Sequence, residues 1–246
     1  FATDLLAGKW VNLSGSQLNY LTPQMFGAVG DGVTDDSAAF AAALAQPYPL
    51  ELPAGSYAID DVDVLDTSEC PGIFGRDGAR IVPKSGTTSS SILITVDSLD
   101  FTVDNVHFDL PISTDPNTAP TCNRALWMTG SPDARYTISN CKFTGGRHGP
   151  FVAGITKFVH IFNNTVTGQW AEGILLQESA NAVISGNTLQ DGGYVLNGPS
   201  GAIRLGALTS QTTRMDNVIV ANNVIVNWSA LYNQVAIDLS CGAARN

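Results

Sequence analysis

Residues 116–246 hold six acids, Asp133, Glu172, Glu178, Asp191, Asp216 and Asp238. Two carboxylates can divide acid and base work. Glycosidic hydrolysis wants them about 5–5.5 Å apart when sugar configuration is retained and about 6.5–9.5 Å apart when it is inverted. With so few candidates, each acid can be weighed singly. Glu172 stands in Trp170-Ala171-Glu172-Gly173, where a carboxylate beside an aromatic ring suits a sugar face, and it is the first choice for a catalytic role. Asp191, in Gln190-Asp191-Gly192-Gly193-Tyr194, again has an aromatic close by, and Asp238 is the third choice. The plainer alternatives are solvated loop acids and, for Arg204 with Asp238, a surface salt bridge of little energetic worth.

Elimination would need other groups: a base for the proton α to a uronate carboxylate, and a cation to neutralise that carboxylate. Arg147-His148, framed by Gly145, Gly146 and Gly149, is the Arg/His pair that reads as exposed, although a flexible turn is the plainer account. Trp127, Trp170, Tyr194, Trp228 and Tyr232 read as exposed rings able to pack on a pyranose or on another subunit. Asp60-Asp61-Val62-Asp63-Val64-Leu65-Asp66 could ligate Ca²⁺, but alternating Asp on an exposed strand explains it more simply, and no cofactor or metal is called for. His107 and His160 fall in strand-like runs and read as structural. Cys70, Cys122, Cys141 and Cys241 lack C-x-x-C spacing, and Cys141 occupies a place that Asn or Val fills elsewhere, as a small buried thiol would.

The elements that must position these groups show as a repeat. An aliphatic residue followed five places later by an apolar one recurs at Val103/Phe108, Ile138/Phe143, Ile161/Val166, Ile184/Leu189 and Val220/Ile225, with asparagines between (Asn105, Asn140, Asn163 and Asn164, Asn187, Asn222 and Asn223). The starts lie 35, 23, 23 and 36 residues apart, as expected of coils of about 23 residues, two of them enlarged by insertions. Asn tolerates left-handed backbone, and stacked amides can bond along the axis. A second strand points Leu126 and Met128, Ile174 and Leu176, Ile203 and Leu205, Ile237 and Leu239 inward. It leaves an outward column of Trp127, Leu175, Arg204 and Asp238, with Val152 filling the gap in the second coil. The expected fold is all-β, a right-handed parallel β-helix over residues 26–246, preceded by a connecting neck over 1–25. Both ends read as cut, with the solenoid continuing past Asn246.

The chain is 44% hydrophobic and 14% charged with 24 glycines, too apolar for disorder and too punctuated for a helical bundle. Its formal charge of −10 is uneven. Residues 31–115 carry fifteen acids and three bases (−12), and residues 116–246 carry six acids and eight bases (+2). The coil half therefore does not strongly repel an acidic sugar chain, and no Lys/Arg cluster points to nucleic acid. No apolar run is long enough for a membrane span. One helix is expected after Thr34-Asp35-Asp36-Ser37, over the run Ala38 to Ala45, stopped by Pro47 and Pro49. Strand, turn and strand follow from Leu50 to Ile59.

The run Phe26-Gly27-Ala28-Val29-Gly30-Asp31-Gly32-Val33-Thr34-Asp35-Asp36-Ser37-Ala38-Ala39-Phe40, with Leu52-Pro53-Ala54-Gly55-Ser56-Tyr57, resembles the opening of pectate-lyase-like β-helix proteins. That resemblance implies a helix capping the first coil, with structural rather than catalytic roles for Asp31, Asp35 and Asp36. Ahead of it, Leu6 to Val11 and Leu18 to Met25 resemble the neck of phage tailspikes. Together the two matches cover roughly the first sixty residues. They imply a homotrimer in a virion that binds, and often cleaves, capsule or O-antigen polysaccharide, with hydrolysis favoured over elimination. The alternatives are a glycan-binding tail fibre without catalysis, or a secreted, monomeric pectinase-like enzyme. Asn12, Asn163 and Asn227 in N-glycosylation patterns would suit the secreted enzyme. In the tailspike reading Trp170, Trp127, Tyr194, Trp228, Arg204, Arg147 and His148 would hold the glycan.

Overall fold

The computed structural model describes residues 2–4, 9–11, 19–64, 70–88, 90–129, 132–154, 156–179, 181–195, 201–206, 217–228 and 235–240. The neck matches at 6–8 and Leu18, together with Tyr232, Cys241, Asp216, Asn12, Leu65 and Asp66, lie outside them. Ala2–Asp4 and Lys9–Val11 form an antiparallel pair. Behind them the chain winds through three parallel sheets of seven, eight and seven strands. Each coil gives one strand to each sheet in turn. One complete coil runs Arg135–Ser139, Lys142–Thr144, Phe151–Ala153, and the next runs Phe158–Phe162, Thr165–Thr167, Ile174–Gln177. The architecture is all-β, a right-handed β-helix with one short helix.

The overlaid repeat is the register of the first two sheets. Val103, Ile138, Ile161, Ile184 and Val220 pair in sequence, as do Phe108, Phe143, Val166, Leu189 and Ile225. Alternation along each strand turns one set of side chains into the solenoid, where burying each such aliphatic or aromatic group contributes about 1.5–3 kcal/mol. Phe108 and Phe143 stack with ring centres 4.9 Å apart.

The corner between the first and second sheets explains the asparagines. Asn105, Asn140, Asn163 and Asn222 take left-handed backbone at φ of 54°, 53°, 56° and 56°. Gly186 takes the same backbone at φ 67°, and the residue after each of the five turns inward, placing Val106, Cys141, Asn164, Asn187 and, partly buried at the end, Asn223 in one column. There the Cys141 N–H donates to Asn164 Oδ1 (2.9 Å), the Asn164 N–H to Asn187 Oδ1 (2.9 Å) and the Asn187 N–H to Asn223 Oδ1 (3.0 Å). The amide nitrogens donate in turn to main-chain carbonyls, Asn187 Nδ2 to that of Ile161 at 3.0 Å. Burial pushes the Cys141 thiol up to about 12.

The helix, Ser37–Leu44, buries Ala39, Phe40, Ala43 and Leu44 against the first coil. Its acids are structural. Asp36 accepts the N–H groups of Val29 (2.7 Å) and Gly30 (3.2 Å), and Asp35 caps the Ser37 N–H (3.0 Å) and pairs with Lys84 (2.9 Å). In the outward column of the third sheet, Trp127 pairs with Phe151, Phe151 with Leu175, Leu175 with Arg204 and Arg204 with Asp238. Phe151 therefore fills the place expected of Val152. The strand enters one residue earlier than the bare pattern suggests, so Val152 points inward between Met128 and Leu176.

Candidate functional site

The corner between the second and third sheets is built from glycines and one glutamine before any charge enters. Gly145 and Gly146 adopt φ of +65° and +75°, and a Cβ on Gly149 would lie 2.0 Å from the Gly173 carbonyl of the next coil. The glycine frame around Arg147-His148 is thus a packing requirement, not a loose turn. Buried Gln169 donates to the carbonyls of Phe143 and Gly145, both at 3.1 Å. The N–H groups of Arg147 and His148 both donate to the Asn123 carbonyl (3.0 and 3.1 Å), and the Gly149 N–H donates to the Glu172 carbonyl (3.1 Å). Three successive coils are held at fixed height by these bonds.

The same stacking gathers charge. Arg124, His148 and Glu172 sit one above another, and Arg204 follows from the next coil. Glu172 is 3% exposed and His148 7%. His148 Nδ1 lies 2.6 Å from Glu172 Oε2, while Arg204 Nη1 donates to Glu172 Oε1 at 2.7 Å. Arg204 also turns its Nε toward Asp238 Oδ2, 3.4 Å away. The His148 approach is too bent to meet hydrogen-bond geometry. Even so, two lone pairs would repel at that distance, so the ring proton belongs on Nδ1 and the lone pair on Nε2. Nε2 has no hydrogen-bond partner among the described residues.

Burial disfavours protonation of His148 and holds it below the usual imidazole range, although Glu172 pulls the other way. For Glu172, burial alone would raise the pKa. Contacts with His148 and Arg204 outweigh it, and the carboxyl stays below its ordinary range. The corner therefore holds a neutral imidazole oriented by an ionised carboxylate, itself fixed by an arginine.

A cavity of about 320 Å³ opens here. Phe151, Leu175 and Val195 supply its apolar wall, and Arg124, Arg147, His148, Glu172 and Arg204 its polar one. The Arg124 guanidinium carbon lies 4.4 Å from the Phe151 ring centre and 5.3 Å from that of Trp127; these two rings stack 6.0 Å apart. Arg147 covers Trp170 at 5.4 Å. Neither arginine makes an ion pair with a described residue. Burial, and then the neighbouring Arg147, bring the Arg124 pKa down to about 10. Arg124 Nε is buried there, and Asn123 Oδ1 and Trp127 Nε1 behind it, without hydrogen-bond partners among the described residues. A second cleft, of about 230 Å³ on the other side of the second sheet, contrasts with it: its Arg76 and Arg80 already pair with Glu51 and Asp109.

Of the residues singled out from sequence, Glu172, Arg147, His148 and Arg204 line one cavity, and Asp238 touches it through Arg204. Asp191 does not. It sits in the turn column at φ 53°, accepts Asn227 Nδ2 (3.1 Å) and takes the Tyr194 hydroxyl on its carbonyl (2.9 Å). The tryptophans expected to be exposed platforms are not. Trp170 is 7% exposed and donates to the Asp115 carbonyl (2.8 Å), tying down the 110–123 insertion. Trp228 is 9% exposed and wedged so tightly that a Cβ on Gly192 would lie 2.5 Å from its ring. Trp127 backs Phe151 rather than lining the cavity. Leu175 faces outward as expected but is buried rather than exposed, because it forms part of the cavity wall. Large rings at the ends of coils fill corners because a flat group seals the gap between sheets better than water does.

Arg124 and Phe151 carry the site without having been singled out. The signal existed: Arg124, His148 and Glu172 are spaced 24 and 24 residues apart, one coil each. Among the described residues no group of three His, Cys, Asp or Glu is placed to hold a metal ion, and no helix is long and apolar enough to cross a membrane.

A family model described as a right handed beta helix region matches residues 89–246, more than half of the chain, and the chain belongs to that family. Among solved structures it is similar to an iota-carrageenase of family GH82 from A. fortis, with 18% identity, a TM-score of 0.47, and coverage of 84% of this chain and 52% of that one. It is also similar to PfbA, a surface adhesin of Streptococcus pneumoniae, with 14% identity, a TM-score of 0.46, and coverage of 89% and 78%. A third is a GH87 alpha-1,3-glucanase catalytic unit from Streptomyces thermodiastaticus, with 15% identity, a TM-score of 0.42, and coverage of 91% and 43%. The chain spans about half of the carrageenase's length, and at these identities the likeness is one of fold. No curated protein matches the chain.

Proposed function

We propose that this right-handed β-helix protein binds a bacterial surface polysaccharide, capsule or O-antigen, at the corner between its second and third sheets and cleaves it there. The supporting observation is the His148–Glu172–Arg204 constellation, buried and mutually oriented, at the wall of a cavity that also presents Phe151 and two arginines without acid partners among the described residues. A structural salt bridge would not require an imidazole with its lone pair left over. The motifs near the N-terminus supply the proposed setting, a homotrimeric phage tailspike.

Hydrolysis, the route the acid shortlist favours, needs one carboxylate ionised and a second protonated. Glu172 suits the ionised role. Asp238, the other acid in contact with the constellation, would have to serve as the acid while in contact with Arg204. The test is release of new reducing ends from purified capsule and O-antigen of candidate hosts, with sizing of the intact protein alongside. Absence of cleavage across the panel removes the depolymerase, and a monomer removes the tailspike setting.

A further inference from the structure

Hydrolysis fits this corner poorly, because both of its acids contact Arg204, a cation that opposes the protonated form a general acid needs. What the corner does hold is a base and spare positive charge. His148 Nδ1 faces Glu172 Oε2 at 2.6 Å, which puts the ring proton on Nδ1 and leaves the lone pair of Nε2 as the available proton acceptor. Arg124 and Arg147 come from successive coils, lie on the faces of Phe151 and Trp170, and have no acid partner among the described residues. Two like charges held near each other, with Arg124 Nε buried and unpartnered among the described residues, make an incomplete arrangement unless an anion joins it.

We infer that the sugar cleaved here is a uronate, that Arg124 and Arg147 hold its carboxylate, and that His148 cleaves the chain by β-elimination. This rests on the reading of the cavity as a glycan-cleaving site. His148 Nε2 removes the proton from the ring carbon α to the carboxylate. The C–H electron pair forms a double bond to the neighbouring ring carbon, and the bond from that carbon to the glycosidic oxygen breaks. The oxygen leaves with its bonding pair and takes the proton back from the imidazolium. No water is consumed and nothing is oxidised or reduced; one chain becomes two, one of them ending in an unsaturated uronate. The arginines act by neutralising the carboxylate, which otherwise opposes the charge that develops beside it. Glu172 is a positioning residue, holding the tautomer in which Nε2 can act.

The test uses the intact protein on a panel of purified capsular polysaccharides and O-antigens, half uronate-containing and half neutral. Reducing ends are followed together with the ultraviolet band of the conjugated unsaturated acid. The expected result is cleavage of uronate polymers alone, with one unsaturated end for every reducing end. His148→Gln should lower kcat by about 10²–10⁴-fold while calorimetric binding of the uronate polymer that the unaltered protein cleaves persists. Arg147→Gln should raise KM by about tenfold. Reducing ends without the ultraviolet band, or equal cleavage of neutral polymers, would overturn the elimination and leave the depolymerase standing. No cleavage of any member overturns both.

Discussion

Two corners of the solenoid bury polar groups across successive coils, and they do so to opposite ends. At the first, between the first and second sheets, Asn164, Asn187 and Asn223 repeat one bonding pattern in which every amide is used. At the second, Arg124, His148, Glu172 and Arg204 do not repeat, and polar atoms are left over. A neutral amide can be satisfied completely by copies of itself, so the ladder stabilises and does nothing else. Charges cannot stack on copies of themselves. Their alternation between coils creates a site, and its unspent donors and acceptors are what a ligand would use.

The contrast can be broken by substitution, most sharply at Glu172. Glu172→Gln keeps the shape but removes the charge that orients His148. Activity should fall about 10²–10⁴-fold with oligosaccharide binding retained, and unchanged turnover would remove Glu172 from the site. In the other corner, Asn187→Ala strands the Asn164 N–H and the Ile161 carbonyl inside the solenoid. Each buried group left unpaired costs about 1–3 kcal/mol, so chemical denaturation should show a loss of roughly 3 kcal/mol with normal kcat in the folded protein.

Acid should separate the corners next. His148 and Glu172 both bind protons more weakly folded than unfolded, mainly through burial for His148, and through His148 and Arg204 against burial for Glu172. Their contribution to stability is therefore full at neutral pH. It is lost as pH falls below the unfolded values of 6.5 and 4.5 toward the lower folded ones. The amide ladder has no such dependence. Urea unfolding across that range should show a stability slope that shrinks in His148→Gln, and an unchanged slope would show that His148 is not held unprotonated. The rate should follow the same sign: a base must be unprotonated, so the acid limb should lie below the ordinary imidazole range. The smallest effect is expected at Lys142, in the cleft whose arginines are already paired. Lys142→Ala should leave glycan affinity within about twofold, whereas Arg124→Gln should weaken it about tenfold.

Much of the fold was legible because it is periodic. Val103, Ile138, Ile161, Ile184 and Val220 are alike for a local reason, the inward turn of alternate strand residues, and they could be overlaid without knowing the coil's shape. The capping helix was legible from Asp35, Asp36 and the alanines behind them. The site was legible only in pieces. Glu172, Arg147, His148 and Arg204 stood out one at a time by type, while Trp170 and Trp228 misled because apolar bulk does not say whether a ring faces water or seals a corner.

What the sequence determined by itself is the solenoid: its period, the inward residues of its first two sheets and its asparagine turns, all set by interactions repeated at short range. Only the tertiary structure decided that Arg124, His148 and Glu172, one coil apart, would meet, with Arg204 supplied from beyond an insertion. That outcome depends on the height of each coil and on glycines thin enough to let the backbones touch. A spacing of 24 hints at such a meeting, but contact requires the corner to close, which no single coil can do alone.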